Sequence, residues 1–200
     1  RLLQVNGIIL SDVIYPFFSR LLGQGEAARR VKFIFLMLTL PVGTKESMDK
    51  KSKRSFISIL CVCTGNICRS PTAEAVFTAR IRTGGLSERI RVDSAGTHRY
   101  HVGAPPDARA TAAAAMRGYD LSGLRARQIS ASDFSRFDYI FYMDARNAEW
   151  LRERCPSLAL RRLHALAEFA GLTFQEIPDP YYGTSRDFEE TLDRIELAVD

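Results

Sequence analysis

Apolar and polar positions sort the chain after Ser55 into alternating strand-like and helix-like stretches. Phe56-Ile57-Ser58-Ile59-Leu60-Cys61-Val62 is a short, mostly apolar, β-branched run of buried-strand length. Runs at about 89–93, 138–143 and 173–177 predict three further strands. A helix over about 71–82 repeats Ala73, Val76, Phe77 and Ile81 on one face, and an alanine-rich helix over about 107–117 stops at Gly118. Another helix begins near Asp144. The last opens with Asp187 and Glu190 in capping-box spacing and turns Phe188, Leu192, Ile195 and Val199 toward the core. It reaches the final residue without a stop signal, which leads us to expect a chain cut short there. Strands alternating with helices predict an α/β fold: a four-stranded parallel sheet with helices on both faces, a three-layer sandwich.

The first 47 residues break this rhythm, since they show no steady period and begin with Arg1. We expect an N-terminal extension over residues 1–54, not native before Met48, ahead of a single domain over 55–200. A genuine appendage is the alternative. The apolar run from Phe33 to Leu40 is eight residues long, far below the roughly 20 needed to span a bilayer. It is not followed by a convincing small-residue cleavage site, so neither membrane insertion nor secretion is expected.

Composition changes this picture little. Two hundred residues, 46% hydrophobic and 26% charged, suit one compact domain with a sizeable core. The formal charge is +5, of which residues 1–47 carry +3, leaving +2 for the rest. That is too near neutral to imply nucleic-acid binding, and Lys50, Lys51, Lys53 and Arg54 read as a solvated tail. The four cysteines, Cys61, Cys63, Cys68 and Cys155, contain no Cys-x2-Cys pair, so a structural zinc site is not expected. His98 and His101 read as surface or rim residues of a loop after the second strand.

Candidate chemistry concentrates in Cys63-Thr64-Gly65-Asn66-Ile67-Cys68-Arg69-Ser70-Pro71. Cys63 should end a strand, and Pro71 suits the first turn of the following helix. In such a turn successive backbone N–H groups and the positive helix end form an anion-binding concavity. Gly65 and Asn66 are the residue types that most readily take left-handed backbone conformations. A cysteine in that field is favoured as thiolate, its nucleophilic form. Arg69 offers a planar, permanently charged fork for two anion oxygens, and basic residues near the pocket, Arg69 and Arg99, suit a dianion. Ser70 suits either a helix cap or a donor to the sulfur. Ile177-Pro178-Asp179-Pro180-Tyr181-Tyr182-Gly183 has the composition of a rigid exposed loop; read alone, its Asp-Pro is a turn.

Taken whole, Val62 to Glu74 closely resembles the active-site loop of low-molecular-weight protein tyrosine phosphatases. Further blocks resemble the family in order: Val92-Asp93-Ser94-Ala95-Gly96-Thr97, Pro105 to Ala110, Ala126-Arg127-Gln128, and Phe137-Asp138-Tyr139-Ile140 with Met143-Asp144. The resemblance covers about residues 55 to 200. It implies a protein-tyrosine phosphatase working through a cysteinyl-phosphate, with Cys63 as nucleophile, Arg69 as phosphate clamp and Asp179 as general acid. The loop residues Thr64, Gly65, Asn66, Ile67, Cys68 and Ser70 would bind substrate with Tyr100, Tyr181 and Tyr182, whose rings can flank an aromatic leaving group. Ser94 would brace the loop through Asn66, although on its residues alone it reads equally as a turn position.

Two positions depart from the family pattern. Tyr100 stands where many members carry tryptophan, and Leu124 where some have a histidine that helps hold the phosphate loop, so that network should be shorter or satisfied by water. Cys68 near Cys63 suggests capture of a peroxide-formed sulfenic acid as a disulfide, chemistry that fits a reducing cytoplasm. Related arsenate reductases relay oxidation through mid-chain cysteines, which are lacking around Met143; only Cys155 remains, at a helix end. Related arginine phosphatases carry a loop threonine where this chain has Ile67, whose branched apolar side chain favours a phenyl ring. A non-enzymatic phosphopeptide module would need neither Cys63 nor Asp179. The resemblance implies no metal or organic cofactor. It implies a phosphotyrosine protein as partner, a tyrosine kinase among the candidates, with a monomer favoured.

Overall fold

The computed structural model describes residues 56–200. The expected extension over 1–54, with Met48, the apolar run at 33–40 and the basic cluster at 50–54, lies outside the described residues. Four parallel strands, β1 (Ile57–Cys63), β2 (Ile90–Gly96), β3 (Tyr139–Tyr142) and β4 (Leu163–Ala165), form one sheet in the order β2-β1-β3-β4. The helices are α1 (Arg69–Thr83), α2 (Ala108–Met116), the single turn α3 (Asp133–Arg136), α4 (Ala145–Arg154), the short α5 (Leu166–Phe169) and α6 (Ser185–Val199). A 3-10 helix at Ser157–Arg162 leads into β4.

The two-residue period of the strands divides the core between two faces. Leu60 and Val62 of β1 join Ile140 and Tyr142 of β3, Ala148 and Leu151 of α4 and Phe134 of α3 in one apolar cluster. Residues of opposite parity face the other way: Phe141 stacks on Phe77 of α1 at 5.9 Å and meets Phe169 of α5 edge-on at 4.9 Å. On that side Ala73, Val76, Phe77 and Ile81 of α1, and Phe188, Leu192, Ile195 and Val199 of α6, are all buried. The three-layer α/β sandwich is therefore as expected.

Two expectations need correction. The fourth strand is Leu163–Ala165, paired with β3, and the segment at 173–177 forms no strand. Its alternation is satisfied without a ladder: Ile177 is buried and donates one backbone hydrogen bond to Met143 O at 2.8 Å, while Phe174 lies under Arg194 at 4.9 Å. Pro178 and Pro180, which lack backbone donors, prevent continued pairing. The start of α6 is also shifted by a turn. Asp187 lies inside the helix and reaches back to Thr184, accepting from its N at 2.6 Å and its Oγ1 at 2.7 Å. Asp187 N donates back to Thr184 O at 3.0 Å, and Glu190 instead pairs with Arg194 at 2.8 Å.

Candidate active site

Parallel strands with crossover helices collect loops at their carboxyl ends, and the expected site lies there. β1 ends at Cys63, the loop 64–68 follows, and α1 opens at Arg69 with Cys68 as N-cap and no side-chain cap. Asn66 sits at φ 57°, the left-handed conformation expected of it, whereas Gly65 does not. A Cβ at Gly65 would meet His101 Cδ2 at 3.0 Å, so the imidazole would have to give way by a few tenths of an ångström. Gly96, at the end of β2, is tighter: a Cβ there would lie 2.8 Å from Thr64 O and 3.1 Å from Asn66 N.

Behind the loop, side chains fix its shape. Asn66 Nδ2 donates to Ser70 Oγ and to Ser94 Oγ, each at 2.9 Å, and Asn66 Oδ1 accepts from Arg127 N at 2.8 Å. Ser70 Oγ lies 3.1 Å from Cys63 Sγ. Ser70 is thus inside α1 with its hydroxyl on the sulfur, and the cap alternative falls away. Ser94 Oγ donates to Glu74 Oε2 at 2.6 Å. Leu124 contributes no polar side chain, and the network expected to shorten there is closed by the Arg127 N–H and Glu74.

Arg69 is buried, and its guanidinium is held from two sides. Nη1 donates to Asp144 Oδ2 at 2.5 Å and to Ile177 O at 3.3 Å, while Nη2 donates to Asp179 Oδ2 at 2.6 Å. Burial disfavours its charge, but the facing Cys63, Asp179 and Asp144 overcome this and hold it above its ordinary range. Arg69 Nε is buried with no acceptor among the described residues, a donor suited to an incoming anion. Burial, then Cys63, pushes the Cys68 thiol well up, and burial does the same to Cys61. All four cysteines are free.

These groups open into a pocket of about 540 Å³. Cys63, Thr64, Gly65, Ile67, Cys68 and Arg69 form its floor, and Asp179 with Tyr181 and Tyr182 one wall. Tyr100 also lines it, stacked on His98 at 5.1 Å, and His101 meets Tyr181 at 6.1 Å. The two histidines are rim residues, as expected. Asn66, Ser70 and Ser94 support the floor from behind rather than lining it.

Several residues had escaped the sequence reading. Arg146, not Arg99, is the second arginine lining the pocket. Asn147 is buried beneath it, donating to Thr64 Oγ1 at 3.2 Å. Asp144, read only as a helix start, caps α4 through Asn147 N at 2.8 Å while holding Arg69. Arg109 joins the two halves of the site: it bonds Asp107 Oδ2 at 2.8 Å, Gly183 O at 3.1 Å and Tyr181 O at 3.0 Å. Asp107 N in turn donates to Ile67 O at 2.8 Å. The Asp144-x-x-Asn147 spacing is that of a helix N-cap, and Asp107, Arg109 and Asp144 stand in blocks read as family-like without a role.

The profile of the low molecular weight phosphotyrosine protein phosphatase family matches residues 58–200. A low molecular weight protein-tyrosine-phosphatase of Streptomyces coelicolor is 43% identical over 141 residues, covering 68% of this chain and 85% of its own. The human low molecular weight phosphotyrosine protein phosphatase is 43% identical over 134 residues, 66% of this chain and 84% of its own. The crystal structure of a protein tyrosine phosphatase from Entamoeba histolytica superposes with a TM-score of 0.69 at 40% identity, covering 72% of this chain and 92% of that one. The chain therefore belongs to the low molecular weight phosphotyrosine protein phosphatase family.

Proposed function

We propose that this protein is a protein-tyrosine phosphatase that hydrolyses phosphotyrosine in proteins through a cysteinyl-phosphate, with Cys63, Arg69 and Asp179 carrying the chemistry. The observation that carries the reading is the convergence on one pocket of a sulfur at a strand end, the opening turn of α1, a buried arginine with a free Nε donor, and an exposed-loop carboxyl. The Cys63 thiolate attacks phosphorus while the bond to the phenolic oxygen breaks. Arg69 and the amides of residues 64–69 bind the equatorial oxygens. Asp179 gives its proton to the departing phenol. The Asp179 carboxylate then takes a proton from water, whose oxygen attacks phosphorus and releases the thiolate with phosphate.

Ile67 on the pocket floor and Tyr100, Tyr181 and Tyr182 at its mouth suit an aromatic ring. They favour phosphotyrosine over phosphoarginine, and the lack of a mid-chain thiol relay disfavours arsenate reduction. The catalytic domain on this reading is 55–200, with 1–54 a separate extension. Cys68, beside Cys63 in the pocket, is the resolving thiol of a reversible oxidation. Free cysteines suit a cytoplasmic setting, and among the described residues no helix is long and apolar enough to cross a membrane. The partner is a phosphotyrosine protein, a tyrosine kinase by class, met by a monomer.

The test is phosphate release from matched phosphotyrosine and phosphoarginine peptides, with Cys63→Ser as blank. Tyrosine preference abolished by the substitution is expected. Arginine preference would overturn the substrate, and release independent of Cys63 would overturn the mechanism.

A further inference from the structure

Two arginines and one aspartate line the active-site pocket, Arg69, Arg146 and Asp179. Arg69 is compensated by Asp179 and by Asp144 behind it. Arg146 is exposed and has no hydrogen-bond or ion-pair partner among the described residues. Its position makes this mildly unfavourable. Arg146 lies in the first turn of α4, which holds no acidic residue, and the positive end of a helix disfavours a cation there. The capping Asp144 cannot help, since its carboxylate is spent on Asn147 N and Arg69. A side chain that breaks a local preference without a compensating contact points to a role at the site.

The neighbours of Arg146 fix where it faces. Asn147 is buried and donates to Thr64 Oγ1 at 3.2 Å, so its face of α4 is turned to the loop that follows Cys63. Successive helical residues are rotated by about 100°, which turns Arg146 away from that loop and toward solvent. Trp150 stands four residues on and shares the Arg146 face. Its ring is 6.1 Å from that of His98, which stacks on Tyr100 of the pocket. Arg154, a further turn along, lies over the Trp150 ring at 4.3 Å and is already paired with Glu153 at 2.7 Å. The face is thus a basic and aromatic strip whose pocket end carries the unpaired cation.

We propose that Arg146 is a specificity-determining residue that selects phosphotyrosine peptides with a glutamate or aspartate beside the phosphotyrosine. The proposal rests on the phosphotyrosine reading above. With the phosphoryl group at Cys63 and the ring against the pocket tyrosines, the peptide backbone lies at the pocket opening. Residues one or two positions away are within about 7 Å of the phosphotyrosine along an extended chain, a span that a long arginine side chain covers. Arg69 and the loop amides already serve the phosphate. An acidic neighbour therefore meets the pocket's uncompensated charge, whereas a lysine meets a like charge.

The test compares kcat/KM on phosphotyrosine peptides that differ only in the flanking residues, glutamate, glutamine or lysine. The parent should prefer glutamate to glutamine by about two- to fivefold, the range of a solvated ion pair, and should rank lysine last. The preference should reside in KM and fade in about 1 M salt, where the screening length is about 3 Å. Arg146→Ala should bring the glutamate-to-glutamine ratio to about one, and Arg146→Glu should move the preference to lysine. Arg146→Lys keeps the charge and should keep the preference. Equal turnover of the glutamate and glutamine peptides by the parent would overturn the proposal. So would a loss in Arg146→Ala that falls equally on all the peptides, the mark of a contact to the phosphate itself. Absence of Cys63-dependent turnover with every peptide would instead bring down the phosphotyrosine reading, and the proposal with it.

Discussion

Arg69 Nη2 and Asp179 Oδ2 lie 2.6 Å apart, so the proposed phosphate clamp and the proposed acid are bound to each other. Asp144 holds the same guanidinium from behind with a side chain only 16% exposed, whereas that of Asp179 is 46% exposed. A dianion entering the pocket competes with the looser partner and leaves the tighter one in place. Losing a solvated ion pair costs about 1 kcal/mol or less, which a charge-assisted forked phosphate contact exceeds.

Asp179→Ala should therefore separate binding from catalysis. Turnover of a phosphotyrosine peptide should fall by about 10² to 10⁴, because the leaving phenol loses its proton donor. Affinity for inorganic phosphate should hold or rise, since Arg69 loses a competitor. Steady-state kinetics with phosphate inhibition checks both; phosphate binding that weakens as much as turnover would contradict this arrangement.

Arg109 should matter for kcat although it lies outside the pocket floor. Its guanidinium ties the Tyr181 and Gly183 carbonyls of the acid loop to Asp107 and lies over the Phe188 ring at 4.5 Å. Removing it frees the loop that positions Asp179, and misplacement of about 1 Å can cost up to about 100-fold. Arg109→Ala should lower kcat by about tenfold to 100-fold while leaving Cys63 alkylation unchanged. Arg109→Lys should not restore it, because an ammonium cannot serve two carbonyls and a carboxylate in one plane.

The strand–loop–helix at Cys63 was legible because its determinants are local: a β-branched run, Gly and Asn in a tight turn, and Pro71 in the first helical turn. β4 was not, since Leu163-His164-Ala165 is three residues long and carries no period, while the alternation of Thr173 to Ile177 mimics a strand. The groups that meet Arg69 were hidden for another reason. Asp144 stands 75 residues away and Asp179 110 residues away along the chain, and their approach follows from parallel crossovers that no local pattern encodes. Asp179 was found through resemblance; Asp144 was seen as a helix start and within a family block, with no link to Arg69. Gly65 does not take the left-handed conformation read for it, and the His101 ring packs against the space its missing Cβ leaves.

Cys68 should protect the nucleophile. It lines the same pocket as Cys63, and burial holds its thiol protonated, so it stays unreactive until a sulfenic acid forms beside it. After mild peroxide treatment the parent should regain nearly all activity with dithiothreitol, and a Cys63–Cys68 disulfide should appear in its mass spectrum. Cys68→Ala should recover less and accumulate sulfinic acid at Cys63. Equal recovery would remove the protective role.

Glu74 should also leave a mark on stability, with a sign opposite to that of an ordinary paired carboxylate. Its carboxyl stands at about 7 in the fold against 4.5 unperturbed, chiefly through burial. Between these values the native state holds a proton that the unfolded chain has released, so stability falls as pH rises through that window and the deficit is complete above it. A displacement of this size corresponds to about 3 kcal/mol. Glu74→Gln keeps an acceptor for Ser94 and removes the charge, so it should match the parent in urea unfolding near pH 4.5 and exceed it by up to about 3 kcal/mol at pH 8. Equal stability at both pH values would mean that Glu74 is ionised at no cost.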